Sequence, residues 1–289
     1  MDVRASDDEG AVFGMDGRFG GLQRREGQLE NYAFRDGCCP GPIRVGLALI
    51  HLEHVNTMTT LESRPPFPGF REEAFQFLCD LAEHNDREWF KARKETYEEE
   101  VKMLLELLLA DGARRLETEG LPLTAHPTTS RFRIHRHLRF TDDKTPYKTN
   151  VGGIFDRSGE KDENGVVYVH VEPDNCFLAA GFYKPSVSYL RPVRRRMAAN
   201  PSTFYDLLGE MEERGLPVDS RGDTLTGMPQ GFSGYRDEEI ASYLKWKHYL
   251  VRRGFADGAL QTPQFVEEIV RMTREALPLL EFVWAAHET

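Results

Sequence analysis

With 289 residues, of which 40% are hydrophobic and 29% charged, the chain has an ordinary globular composition and the length for a sizeable core. No apolar run approaches the ~20 residues that cross a bilayer, and the N-terminus lacks the basic start and apolar stretch of a secretory signal, so a cytoplasmic protein is expected. The net charge of −10 excludes a protein that coats nucleic acid through bulk electrostatics.

Residues 1–63 are rich in Gly and charge, contain Cys38-Cys39-Pro40-Gly41-Pro42 and show no sustained period. They read as a poorly structured N-terminal extension, the first 57 residues lying upstream of a plausible domain start at Met58. A single α+β domain is expected over 64–289. Phe75, Leu78 and Ala82 form one stripe of a helix over Phe70 to Glu83. Asp86 suits the N-cap of a second helix, which carries Trp89 and Phe90 and continues through Val101, Leu104, Leu105, Leu108 and Leu116.

The period then changes to two. In Arg131-Phe-Arg-Ile-His, Phe132 and Ile134 alternate with Arg131, Arg133 and His135, the pattern of a half-buried strand with the cations on its outer face. Asp142 to Pro146 reads as a loop, because Pro146 has no donor and restricts Thr145. Val151 and Phe155 share one face of a second strand, opposite Lys148 and Asn150. Val166 to Glu172 is a third strand and Cys176 to Tyr183 a fourth, apolar on both sides and hence central. Helices follow at Val187 to Ala199 and Ser202 to Arg214, then a Gly/Pro-bearing loop, a strand over Trp246 to Arg253, and a long amphipathic helix over Pro263 to Ala286. Consecutive strands with short links predict a mostly antiparallel sheet of about five strands packed against helices.

Chemistry concentrates between Arg131 and Lys148, where six Lys or Arg stand against two Asp. Arginine reads phosphate and carboxylate through its planar fork. An Arg/Lys-rich pocket built from Arg133, Arg136, Arg139, Lys144 and Lys148, with Tyr147 lining it and Lys245 and Lys247 joining, would hold an anionic ligand, phosphorylated compounds among them. Arg136 falls on the parity of Phe132 and Ile134, so it must be paired or serve a ligand. If Val167, Val169 and Val171 face the helices, Tyr168, His170 and Glu172 share the other face. His170 and Glu172 are then a candidate acid–base pair, so turnover of the ligand stays open. The competing class is a non-enzymatic domain whose arginines are structural or dock an acidic partner or nucleic-acid end.

A metal set of His135, His137, His170 and Glu172 is opposed by the neighbouring arginines, and no metal or cofactor is expected. No P-loop, dinucleotide-binding glycine pattern or Gly-x-Ser-x-Gly occurs. The four cysteines read as reduced thiols, and Arg194-Arg195-Arg196 as a solvated helix face.

The stretch Arg133-x-x-Arg136-His137-x-Arg139-Phe140-x-x-Asp143-Lys144-x-x-Tyr147 resembles the signature of a bacterial conserved-hypothetical family, domain of unknown function 2461. So do Asn85 with Trp89-Phe90, Tyr168-x-His170-x-Glu172-Pro173, and Leu244-Lys245-x-Lys247. His137 stands where that signature has Asp, and His135 where an aromatic residue is usual. The resemblance implies one domain from about Phe67 to Val283 and brings no activity with it.

Overall fold

The computed structural model describes residues 64–136, 143–161 and 165–288. The expected extension over 1–63 and the positions His137 and Arg139 therefore lie outside the described residues. In chain order the elements are α1 (Glu72–Glu83), α2 (Arg87–Ala92), the single turn α3 (Lys94–Thr96), a π-helical stretch Tyr97–Lys102 and α4 (Met103–Thr118). Strands β1 (Val151–Phe155), β2 (Val166–Val171) and β3 (Cys176–Phe182) follow, then α5 (Val187–Ala199), α6 (Pro201–Glu213) and α7 (Ala241–Leu244). The chain ends with β4 (Tyr249–Phe255), α8 (Asp257–Leu260) and α9 (Phe265–Trp284). It is an α+β protein, and among the described residues no helix is long and apolar enough to cross a membrane.

Local sequence accounts for the first helices. Ala74, Phe75, Phe77, Leu78 and Leu81 give α1 its buried face. Asp86 caps α2, its carboxylate accepting from the backbone N–H of Glu88 at 2.9 Å and of Trp89 at 2.8 Å. The long second helix expected from the leucine period is divided: the path changes at Arg93 and again through the π turn before α4 buries Leu104, Leu105, Leu108 and Leu116. Phe67 and Phe70, just ahead of α1, are core residues, and Phe67 N–H donates to the Asp111 carboxylate of α4 at 2.9 Å.

The sheet runs β1-β2-β3-β4 with every neighbour antiparallel. Val167, Val169 and Val171 share the helix-facing side with Leu178, Ala180 and Phe182, over which α4 and α9 pack. Gly153 on that side admits Leu109 of α4, since an added Cβ would meet its methyls at 2.9 Å. β1, β2 and β3 are buried at every position, so the strand expected to be central is covered on both faces. The last strand begins at Tyr249, three residues later than the period suggests, because Trp246 closes a turn onto Tyr243.

The expected first strand differs most. Residues 131–136 join the sheet edge only through isolated bridges, Arg131 opposite Gly153 and His135 opposite Tyr147. Phe132 N–H donates to Gly152 O at 2.8 Å, while Arg136 N–H reaches Pro146 O at 2.9 Å. The segment thus lies half on β1 and half on 146–148, and the register slips between the two bridges, because four residue steps from Arg131 to His135 face six from Tyr147 to Gly153. At its start the faces are the reverse of the expectation, whereas farther along Ile134 is buried in the core and Arg133 and His135 are exposed, as the period predicts. Arg131 turns toward the helices and binds Glu106 of α4 at 3.0 Å, while Phe132 packs edge-on against Tyr168 on the other side. A period of two fixes which residues share a face, and the choice of face falls to what covers each side.

Candidate functional site

On the sheet face away from α4 and α9, one hydrogen-bonded line runs from the core to the rim. The Tyr168 hydroxyl lies 2.8 Å from His170 Nδ1, and His170 Nε2 lies 3.1 Å from Glu172 Oε2. Burial holds the Tyr168 phenol far above its ordinary pKa, so it keeps its proton. The imidazole bridges the phenol and the carboxylate through its two ring nitrogens. Tyr168 and His170 are 3% and 2% exposed. Gly152, opposite His170, makes room, because a Cβ there would come within 2.8 Å of the Tyr168 hydroxyl oxygen.

Glu172 is half-buried. Burial pushes its carboxyl up, but hydrogen bonds from His170, Asn175 and Thr149 outweigh this and hold it below its ordinary pKa. The Asn175 amide donates to it at 2.6 Å, and Thr149 Oγ1 stands at 3.4 Å. On β4, Arg252 lays its guanidinium over the Phe177 ring, 4.0 Å from the centroid, and donates to Asn175 Oδ1 at 2.8 Å. Burial lowers the Arg252 pKa, Arg221 lowers it further, and Glu172 opposes both. His170 stacks on the same Phe177 ring at 4.4 Å. Beside them the sheet opens: Gly254, opposite Phe177, is exposed, and a side chain built there would meet nothing within 4 Å.

The structure brings together some of the residues that the sequence singles out and separates others. His170 and Glu172 are adjacent, and Lys148 lies near them with its ammonium 5.7 Å from the Phe132 ring that leans on Tyr168. Arg136 is committed to Asp143 and, at 2.8 Å, to Thr145 Oγ1. Lys247 binds Asp223 at 2.6 Å. Tyr147 is buried, stacked on Phe90 of α2 at 4.1 Å. Arg133 and Lys144 are exposed, and Lys245 is half-buried. Arg194 is no solvated helix residue: it is 3% exposed and donates to the Trp246 carbonyl at 2.9 Å.

Arg252, Asn175, Arg221 and Gly254 are the residues that sequence reasoning passed over. Period two around Val251 puts Arg252 on the far side of β4, a signal present in the pattern. Asn175 sits in the turn after Pro173 and Arg221 in an irregular segment, where no period exists to place them.

Fold and site together define an α+β protein with a polar Tyr–His–Glu line set into a buried sheet face beside Arg252. The chain belongs to the conserved hypothetical protein family DUF2461, whose family model matches residues 73–282. No curated protein and no solved structure gives a match.

Proposed function

We propose that this chain binds a small anionic ligand, phosphorylated compounds foremost, at the opening above Gly254. Arg252 and Asn175 grip the anion, Arg221 and Lys148 add attraction, and the His170–Glu172 pair lines the rim. The observation that carries this reading is the half-buried Arg252 guanidinium, held over Phe177 beside open sheet surface at Gly254. A negative group placed there gains charge-assisted bonds and offsets the electrostatic effect of Arg221 on Arg252. For turnover, His170 would first have to release Tyr168 or Glu172, because both of its nitrogens are engaged.

The test is a thermal-shift panel of nucleotides, sugar phosphates and polyphosphate. A ligand at a hundred times its dissociation constant should stabilise the protein by about 2.7 kcal/mol. Gly254→Leu puts a side chain into the opening at a position whose Cβ would meet nothing within 4 Å, so it should abolish the shift with little effect on the unliganded melting temperature. Absence of any shift, or an undiminished shift in Gly254→Leu, overturns the proposal. The second reading, an interaction domain with structural arginines, draws support from the pairs Arg131–Glu106, Arg136–Asp143 and Lys247–Asp223. Under that reading no small anion stabilises the protein.

A further inference from the structure

A different surface carries chemistry that the opening above Gly254 does not use. At the corner between α1 and α2, the exposed imidazole of His84 lies parallel to the half-buried indole of Trp89, with centroids 5.9 Å apart and planes 6° apart. The exposed guanidinium of Arg93 stands 4.4 Å from the same indole centroid. This stack is built on the core, since Trp89 also packs on Phe77 of α1 at 5.5 Å.

The corner is fastened to the arginine-rich segment. The Asn85 side chain pairs with the backbone of Tyr147 through two bonds of 3.0 Å each, an attachment across 62 residues. Phe90 stacks on Tyr147, and the exposed ring of His135 lies 6.3 Å from Phe90. Residues 84–96 thereby sit beside 133–136 and 143–148.

Those three stretches hold eight Lys or Arg against four Asp or Glu, in a chain where acids outnumber bases by 47 to 37. Two of the four acids are already committed: Asp86 caps α2, and Asp143 binds the backbone and hydroxyl of Thr145 and the guanidinium of Arg136. We propose that this corner is a docking surface for a short stretch of single-stranded nucleic acid, its phosphates on Arg93, Arg133 and Lys91 and its bases stacked against His84 and His135. Cations explain attraction for any acidic chain. The exposed flat rings favour nucleic acid, because a base offers a π-face that an acidic peptide lacks. The acidic remainder of the molecule confines binding to this corner.

The test is fluorescence anisotropy with labelled oligothymidylate and oligouridylate over a series of salt concentrations. Saturable binding is expected, with the logarithm of affinity falling linearly against the logarithm of salt. The double variant Arg93→Glu, Arg133→Glu should lose roughly tenfold or more of the affinity. Both side chains are exposed, so the fold is retained, and Arg93→Gln with Arg133→Gln is the milder companion. Arg252→Ala should bind the oligonucleotides as the wild type does, which separates this surface from the small-ligand proposal. No binding at low salt, binding undiminished by both double variants, or equal binding of an oligoglutamate peptide of matched charge overturns it.

Discussion

His248 shows how much one side chain can tie together. It is 1% exposed, accepts the Lys184 N–H at Nδ1 (2.9 Å), faces Asp223 through Nε2 (3.0 Å) and stacks on Tyr183. Because Nδ1 accepts a backbone proton, Nε2 carries the hydrogen and the ring is neutral. Burial pushes its pKa down, Asp223 works against this, and the Lys184 and Lys247 charges reinforce it. A folded pKa below the unfolded value of 6.5 means that the unfolded chain binds the extra proton first. The stability tied to His248 is therefore complete above about pH 6.5 and is lost as pH falls through that value toward the folded pKa. Urea midpoints from pH 8 to pH 5 should fall across this window, and His248→Gln should flatten the fall while costing about 1–3 kcal/mol at neutral pH. Tyr168→Phe is the companion case: it removes the hydrogen-bond partner of a buried ring nitrogen and should cost about 1–3 kcal/mol in the same measurement. The sequence placed Tyr168, His170 and Glu172 together through i, i+2 spacing alone. It could not place Arg252 over Phe177, because that contact spans two strands whose register no single-strand pattern contains.

The segment 131–148 shows where element-level reading stops. Alternation of Phe132 and Ile134 identified an extended segment, and the two cross-chain bridges confirm extended pairing at its ends. The ladder fails in between because the stretch from Arg131 to His135 is two residues shorter than the facing stretch from Tyr147 to Gly153, and Arg131 turns to the helix side, where it binds Glu106 of α4. Helices were more legible than this edge: the boundaries of α1, α5, α6 and α9 fall within one to two residues of the apolar stripes, where one buried face per element settles the matter. The division of the second helix was not legible, since the leucine spacing runs on through the change of path at Arg93. The hinge between helical corner and hairpin is Asn85, whose amide serves as both donor and acceptor to the Tyr147 backbone. Asn85→Ala should lower unfolding stability by about 1–3 kcal/mol, since it strands a buried residue's backbone groups. It should also sharply raise amide exchange at Tyr147 with little change in the β2–β3 ladder. Equal protection at Tyr147 in both proteins would show that the hairpin is held by Phe90 stacking alone.

At the scale of the whole molecule, the folded unit reaches further toward the N-terminus than the family match at residue 73. Phe67 and Phe70 are 0% and 2% exposed, with ring centroids 5.4 Å apart, and Phe70 rests edge-on against Phe75. Arg114 of α4 donates to the Arg64 carbonyl at 2.9 Å, Phe70 N–H donates to Leu260 O at 2.9 Å, and Arg64 binds Glu106 at 3.3 Å. Gly69, at φ +100°, passes so close to the Gln261–Thr262 backbone that no side chain fits. These contacts tie the segment to α4 and to the α8–α9 turn at once. Burying a large aromatic side chain contributes about 1.5–3 kcal/mol, and domains of this kind are stable by only about 5–15 kcal/mol in total. A chain beginning at Glu73 therefore forfeits two such residues and a substantial share of its margin, whereas one beginning at Arg64 keeps both. Urea unfolding of the two should differ by at least about 3 kcal/mol, the shorter chain unfolding first. Phe67→Ala in the longer chain should reproduce about 3–5 kcal/mol of the loss by opening a cavity against α4. Matching midpoints for the two chains would mean that the aromatic pair covers the core without stabilising it, and that the family boundary is also the physical one.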